Sequence, residues 1–98
     1  MLIDNLRDET LNQLFESMMA LETVEEFYQF FDDLCTTNEI ILMKQRFHVA
    51  MLLRENRTYT DIQELTGASS STVSRVKRCL DYGSGGYRTA LDRLDLKD

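Results

Sequence analysis

One glycine constrains this chain more than any other residue. Between Thr58 and Leu80 a short helix-compatible run ends at Gly67 and a second opens at Ser69. Glycine at that step supplies the left-handed backbone that lets two helices meet after a short turn. Ile62, Leu65, Ala68, Val73 and Val76 are expected to interlock inside the resulting corner. The pattern is that of a helix-turn-helix over residues 57–81.

The second helix of the pair opens unusually. Ser69 is a good N-cap, but Ser70, Ser71 and Thr72 then fill the first turn, where propensity alone would not place them. Short hydroxyls and open amides at a helix N-terminus suit a phosphate backbone and either type of base edge. With Val73, Val76 and Leu80 turned inward, helical spacing puts Ser70, Ser71, Ser74, Arg75 and Arg78 on the open face, with Lys77 at its edge. Arg75 and Arg78 are expected on guanine or phosphate, Lys77 on phosphate, and Thr60 and Thr72 as phosphate-positioning hydroxyls. Gln63 stands where many such corners have a small alanine; so long a side chain must point outward, to contact a phosphate or to shield the corner.

Upstream the pattern is helical without strands. The chain has no proline, so caps and glycines must do the punctuating. After Asp4, Leu6, Leu11, Leu14, Phe15, Met18 and Met19 recur at helical spacing to near Leu21. Thr23 with Glu26, and Thr36 with Glu39, have capping-box spacing, predicting two further helices. Phe27, Tyr28, Phe30, Phe31, Leu34 and Cys35 cover more than one face of the first of these. So wide an apolar surface is more than one thin core layer uses, and it predicts burial against a second copy of the chain. The other runs to about Glu55, with Ile40, Ile41, Met43, Phe47, Ala50, Met51 and Leu53 on its expected buried side. Asn56-Arg57 breaks it. Gly83, Gly85 and Gly86 predict a flexible joint, followed by a short helix with Tyr87, Ala90, Leu91 and Leu94 in one stripe and a frayed, charged end. The expectation is one all-α domain over 1–98: a dimerisation region 1–56, the helix-turn-helix, and the glycine loop with its helix over 82–98.

The net charge of −6 argues by itself against a nucleic-acid partner. Its distribution reverses that argument. Residues 1–39 hold ten acids and one base, whereas the stretch from Lys44 to Arg78 holds seven bases and three acids. One half is fit to face a polyanion and the other is not.

Other chemistries are poorly served. Cys35 and Cys79 form no CxxC, and His48 alone cannot complete a zinc site, so the cysteines read as reduced apolar residues and no metal or other cofactor is expected. There is no glycine-rich phosphate loop and no nucleophile with base and orienting group, so an enzyme is not expected. An acidic N-terminus and the lack of a long apolar run predict a cytoplasmic protein without a membrane span.

From Thr36 to Leu80 the chain resembles the Trp repressor superfamily, and the run Gly67-Ala68-Ser69-Ser70-Ser71-Thr72-Val73-Ser74-Arg75-Val76-Lys77-Arg78-Cys79-Leu80, followed by Asp81-Tyr82-Gly83, is similar to its YerC/YecD-type branch. The resemblance implies an all-helical, intertwined dimer in a bacterial cell, presenting two helix-turn-helix units to a two-fold operator. It also implies a corepressor pocket in which an indole lies between two arginines, matched here by Arg46 and Arg75, with Thr36 matching a threonine at the start of the third helix. Val76 replaces the glycine after the second arginine and Cys79 replaces a nearby serine. Those changes crowd the pocket and remove a polar contact, arguing against tryptophan and leaving another ligand, or none, open. The expected function is a sequence-specific double-stranded DNA-binding transcription regulator, acting as a homodimeric repressor. The competing expectation is a protein-interaction module whose basic corner has no DNA role.

Overall fold

The computed structural model describes residues 1–96, all of whose regular structure is helical. The chain opens with a 3-10 helix, Leu2–Leu6, and continues through α1 (Glu9–Met19), α2 (Val24–Leu34), α3 (Thr37–Arg54), α4 (Tyr59–Thr66), α5 (Ser70–Tyr82) and α6 (Gly86–Asp95). It forms two compact units, Met1–Ile40 and Ile41–Asp98. The fraying expected at the charged end falls on Lys97 and Asp98, outside the described residues.

Side-chain caps set the boundaries in the first unit. The Asp8 carboxylate accepts from the Leu11 amide at 2.8 Å, so α1 starts at Glu9 and not just after Asp4. Both predicted capping boxes form. The Thr23 hydroxyl accepts from the Glu26 amide while the Glu26 carboxylate accepts from the Thr23 and Glu22 amides. The Thr36 hydroxyl accepts from the Glu39 amide at 3.2 Å, and the Glu39 carboxylate accepts from the Thr36 amide at 2.8 Å. These bonds satisfy the orphan amides that begin every helix.

No residue of α1 or α2 is buried. Phe30 and Phe31 are half-buried with their rings edge to face, 6.2 Å between centroids, but Phe15, Met19, Val24, Phe27, Tyr28 and Leu34 are exposed.

The second unit has a true core. Val49, Ala50 and Leu52 of α3, Ile62 of α4, Ala68 of the turn, Val73 and Val76 of α5 and Leu91 of α6 are buried together, with Phe47, Leu53, Leu80 and Tyr87 packed around them. The buried side of α3 is thus narrower than its apolar content predicts: Ile41, Met43 and Met51, expected inside, are exposed. A single helix end cannot cover three adjacent positions such as Ile41, Leu42 and Met43, which point in different directions around the helix. The helix stops where Asn56 takes a left-handed φ of 62°, a conformation asparagine tolerates better than most residues.

The final glycines do more than provide slack. A Cβ on Gly83 would stand 2.3 Å from the Cys79 carbonyl oxygen, so glycine alone allows the chain to close α5 with the Gly83 amide donating to that same oxygen. Beyond it, α6 is held by Leu91 in the core, by the Arg88 Nε donating to the Leu80 carbonyl at 2.7 Å, and by Arg54 paired with Asp92 and Asp95.

Candidate nucleic-acid interface

The corner forms at Gly67. Its φ is +73° and its amide donates to the Gln63 carbonyl at 2.8 Å. An added Cβ would meet nothing within 4 Å, so the requirement is for backbone conformation and not for space. Thr66 braces the turn: its hydroxyl donates to the Ile62 carbonyl at 2.6 Å and accepts from the Ala68 amide at 3.1 Å. The Gln45 amide of α3 donates to the Thr66 carbonyl, tying the turn to the helix beneath it.

Four of the five residues expected to interlock are buried there: Ile62, Ala68, Val73 and Val76. Leu65 is not, being 56% exposed. In an eight-residue helix the inward stripe is one side chain wide. Ile62 and Thr66, one turn apart, fill it, leaving Leu65 in an open groove beside Ile41, Lys44 and His48.

At the start of α5, the Ser69 hydroxyl accepts from the Thr72 amide at 3.2 Å and lies within hydrogen-bond distance of the Ser71 and Thr72 hydroxyls at 3.0 and 3.1 Å. Ser69 thus carries the cap and knits the first turn. Ser70, Ser71, Ser74, Arg75, Lys77 and Arg78 are all exposed, as is Thr60 on α4, while Thr72 and Gln63 are half-buried. Lys77 differs from its two basic neighbours. Its Nζ lies 3.0 and 3.1 Å from the Asp81 carboxylate, so part of its charge is already answered. Among the described residues no acid pairs with Arg75 or Arg78.

The two cysteines differ in exposure. Cys35 is half-buried, but Cys79 is exposed on α5 and is not part of the core, contrary to its reading as a packed apolar residue. Among the described residues no cluster of three or more metal-ligating side chains occurs, and no helix is long and apolar enough to cross a membrane.

A family model described as Trp repressor protein matches residues 9–95. The chain belongs to the Trp repressor family. The uncharacterized protein YerC of Bacillus subtilis (strain 168) is 56% identical over 94 residues, covering 96% of this chain and 90% of YerC, which places the chain with the YerC-type members. Two solved structures share the fold. A Trp repressor candidate from Staphylococcus aureus aligns with a TM-score of 0.93 at 46% identity, covering 99% of this chain and 97% of its own. A TrpR-like protein from Eubacterium eligens ATCC 27750 aligns at 0.90 and 47%, covering 97% and 98%. The Trp repressor family is one of helical DNA-binding regulators and not a family of enzymes.

Of the residues matched to the Trp repressor's ligand pocket, Thr36 is engaged in the α3 cap. Arg46 is half-buried on α3, Arg75 and Cys79 are exposed on α5, and Val76 is sealed in the core at 2% exposure. The sequence gave no hint of a further neighbour. Burial pushes the Tyr87 phenol up, while the charges of Arg46 and Arg75 pull it down and Cys79 adds to the upward push, so α6 brings this ring within electrostatic reach of all three.

Proposed function

We propose that this chain is a homodimeric, sequence-specific double-stranded DNA-binding transcription regulator that reads its operator with α5 and acts as a repressor. The observation that carries this reading is the open face of α5, where Arg75 and Arg78 stand without ion-pair partners behind a hydroxyl-lined helix N-terminus. Helix N-termini favour phosphate, and arginine is the side chain best shaped to take guanine or phosphate with two parallel bonds. Ser70, Ser71 and Ser74 complete the contact face, Thr60, Thr72 and Gln63 flank it, and Lys77 contributes by exchanging Asp81 for phosphate. The excess acid of residues 1–39 turns away from the duplex.

The homodimer rests on the first unit, whose two helices bury nothing of their own while six large apolar side chains stand open to water. A contiguous apolar surface of this kind marks an interface. Two copies related by a two-fold axis place their α5 helices in successive major grooves about one helical turn apart.

Selection of genomic fragments at low salt tests the reading. We expect one palindromic sequence to be retained, with affinity falling by about 10³ or more between 50 and 200 mM salt. Arg75→Ala with Arg78→Ala should abolish selection while leaving helix content unchanged. Failure of every duplex to bind at low salt would sink the DNA reading, and selection of the same sequence by the double variant would remove the two arginines from it.

A further inference from the structure

Tyr87 lies where α6 meets the face that α3 and α5 share. Its ring is half-buried and packs on the core of the second unit, which includes Val49 and Ala50 of α3 and Val76 of α5. Arg46 precedes Val49 and Ala50 by one turn and shares their side of α3. Arg75 adjoins Val76, and Cys79 follows Arg75 by one turn of α5. The ring therefore enters between an arginine from each helix, and both guanidinium charges act on its phenol. Its position is enforced, because the next residue, Arg88, donates to the Leu80 carbonyl at 2.7 Å and Leu91, one turn on, is locked in the core.

We propose that the Tyr87 ring is the resident occupant of the space between Arg46 and Arg75 and positions Arg75 for DNA, so that this chain binds its operator without any small aromatic ligand. The inference rests on the DNA-binding reading above and deepens it. Guanidinium groups stack readily on aromatic faces. A ring tethered through α6 holds Arg75 in few rotamers before DNA arrives, removing an ordering cost that an unsupported arginine meets on binding. Because the tether makes its effective concentration high, a free aromatic ligand of the same shape competes poorly with it.

The test uses the full chain, dialysed free of small molecules, on the duplex that the wild type selects. Tyr87→Phe, which keeps the ring, should bind within about threefold of wild type; Tyr87→Leu, which fills the volume without an aromatic face, should bind about tenfold or more weakly at unchanged helix content and mass. Tyr87→Ala should lose at least as much and recover in millimolar 4-methylphenol, a free copy of the missing side chain. If Tyr87→Ala unfolds, Tyr87→Leu carries the test. Wild-type affinity in Tyr87→Leu overturns the proposal. A second arm needs no DNA: the Arg75 Nε–Hε resonance should carry a ring-current shift in wild type and Tyr87→Phe that vanishes in Tyr87→Leu, and its indifference to the ring would also overturn the proposal. Wild type that binds no duplex fails the DNA reading itself, whereas wild type that binds and Tyr87→Leu that binds equally fails only the role of Tyr87.

Discussion

At the scale of single residues, the corner depends on conformation. Gly67 has open space where a Cβ would go, so Gly67→Ala incurs the backbone cost of a left-handed alanine, about 1–2 kcal/mol, with little steric penalty. Gly67→Asn, with a side chain that suits the left-handed region, should recover part of that loss. Urea denaturation of the three proteins checks the order glycine, asparagine, alanine; an alanine variant as stable as wild type would refute it. Gly67 was legible in the sequence because a glycine between two helical runs has few other uses. Leu65 was not, because the spacing that marks an amphipathic helix does not say which of two adjacent apolar positions faces inward. Here the Thr66 hydroxyl, bonded to Ile62 and Ala68, took the inner place.

At the scale of helices, the capping boxes were the most legible feature, since a hydroxyl and a carboxylate three residues apart form a self-contained local motif. The box at Thr36 has a pH signature. Hydrogen bonds from the Thr36 backbone amide, then from its side chain, hold the Glu39 carboxyl below its ordinary 4.5. A carboxylate depressed on folding gives stability that is full above its unfolded value and is lost as pH falls through its folded one. Wild type should therefore exceed Glu39→Gln in urea midpoint at neutral pH, with the gap closing as pH drops below 4.5. A gap constant down to pH 3 would contradict the cap's ionic character. The attachment of α6 was illegible, because Arg54 meets Asp92 and Asp95 across some forty residues of chain. Its energetics favour the apolar contact all the same. Exposed ion pairs contribute under about 1 kcal/mol, whereas truncating a buried leucine costs about 2–5 kcal/mol. Leu91→Ala should lower the melting temperature well below that of Arg54→Ala, and the reverse order would mean that the ion pairs hold α6.

At the scale of the whole molecule, the width of the apolar surface on α2 was legible as an excess, but its consequence lies outside a single chain. Val24, Phe27, Tyr28, Phe31, Asp32 and Ile40 line an open groove of about 420 Å³ in the first unit, and Tyr28 on its rim is 70% exposed. In an isolated chain Tyr28→Asp is a surface substitution, worth within about 0.5 kcal/mol either way. In the proposed homodimer the same change sets two carboxylates into a desolvated apolar interface, where an unpaired charge is strongly unfavourable. The two cases separate cleanly. Wild type should sediment as a dimer at micromolar concentration and melt at a temperature that rises with protein concentration, as any folded state stabilised by self-association must. Tyr28→Asp should sediment as a monomer and lose that concentration dependence. With each α5 then alone on its half-site, operator affinity should fall steeply even though Arg75 and Arg78 are untouched. A Tyr28→Asp protein that remains dimeric and binds as wild type would place the interface elsewhere, and a wild type that sediments as a folded monomer would leave the exposed face of α2 to a different partner.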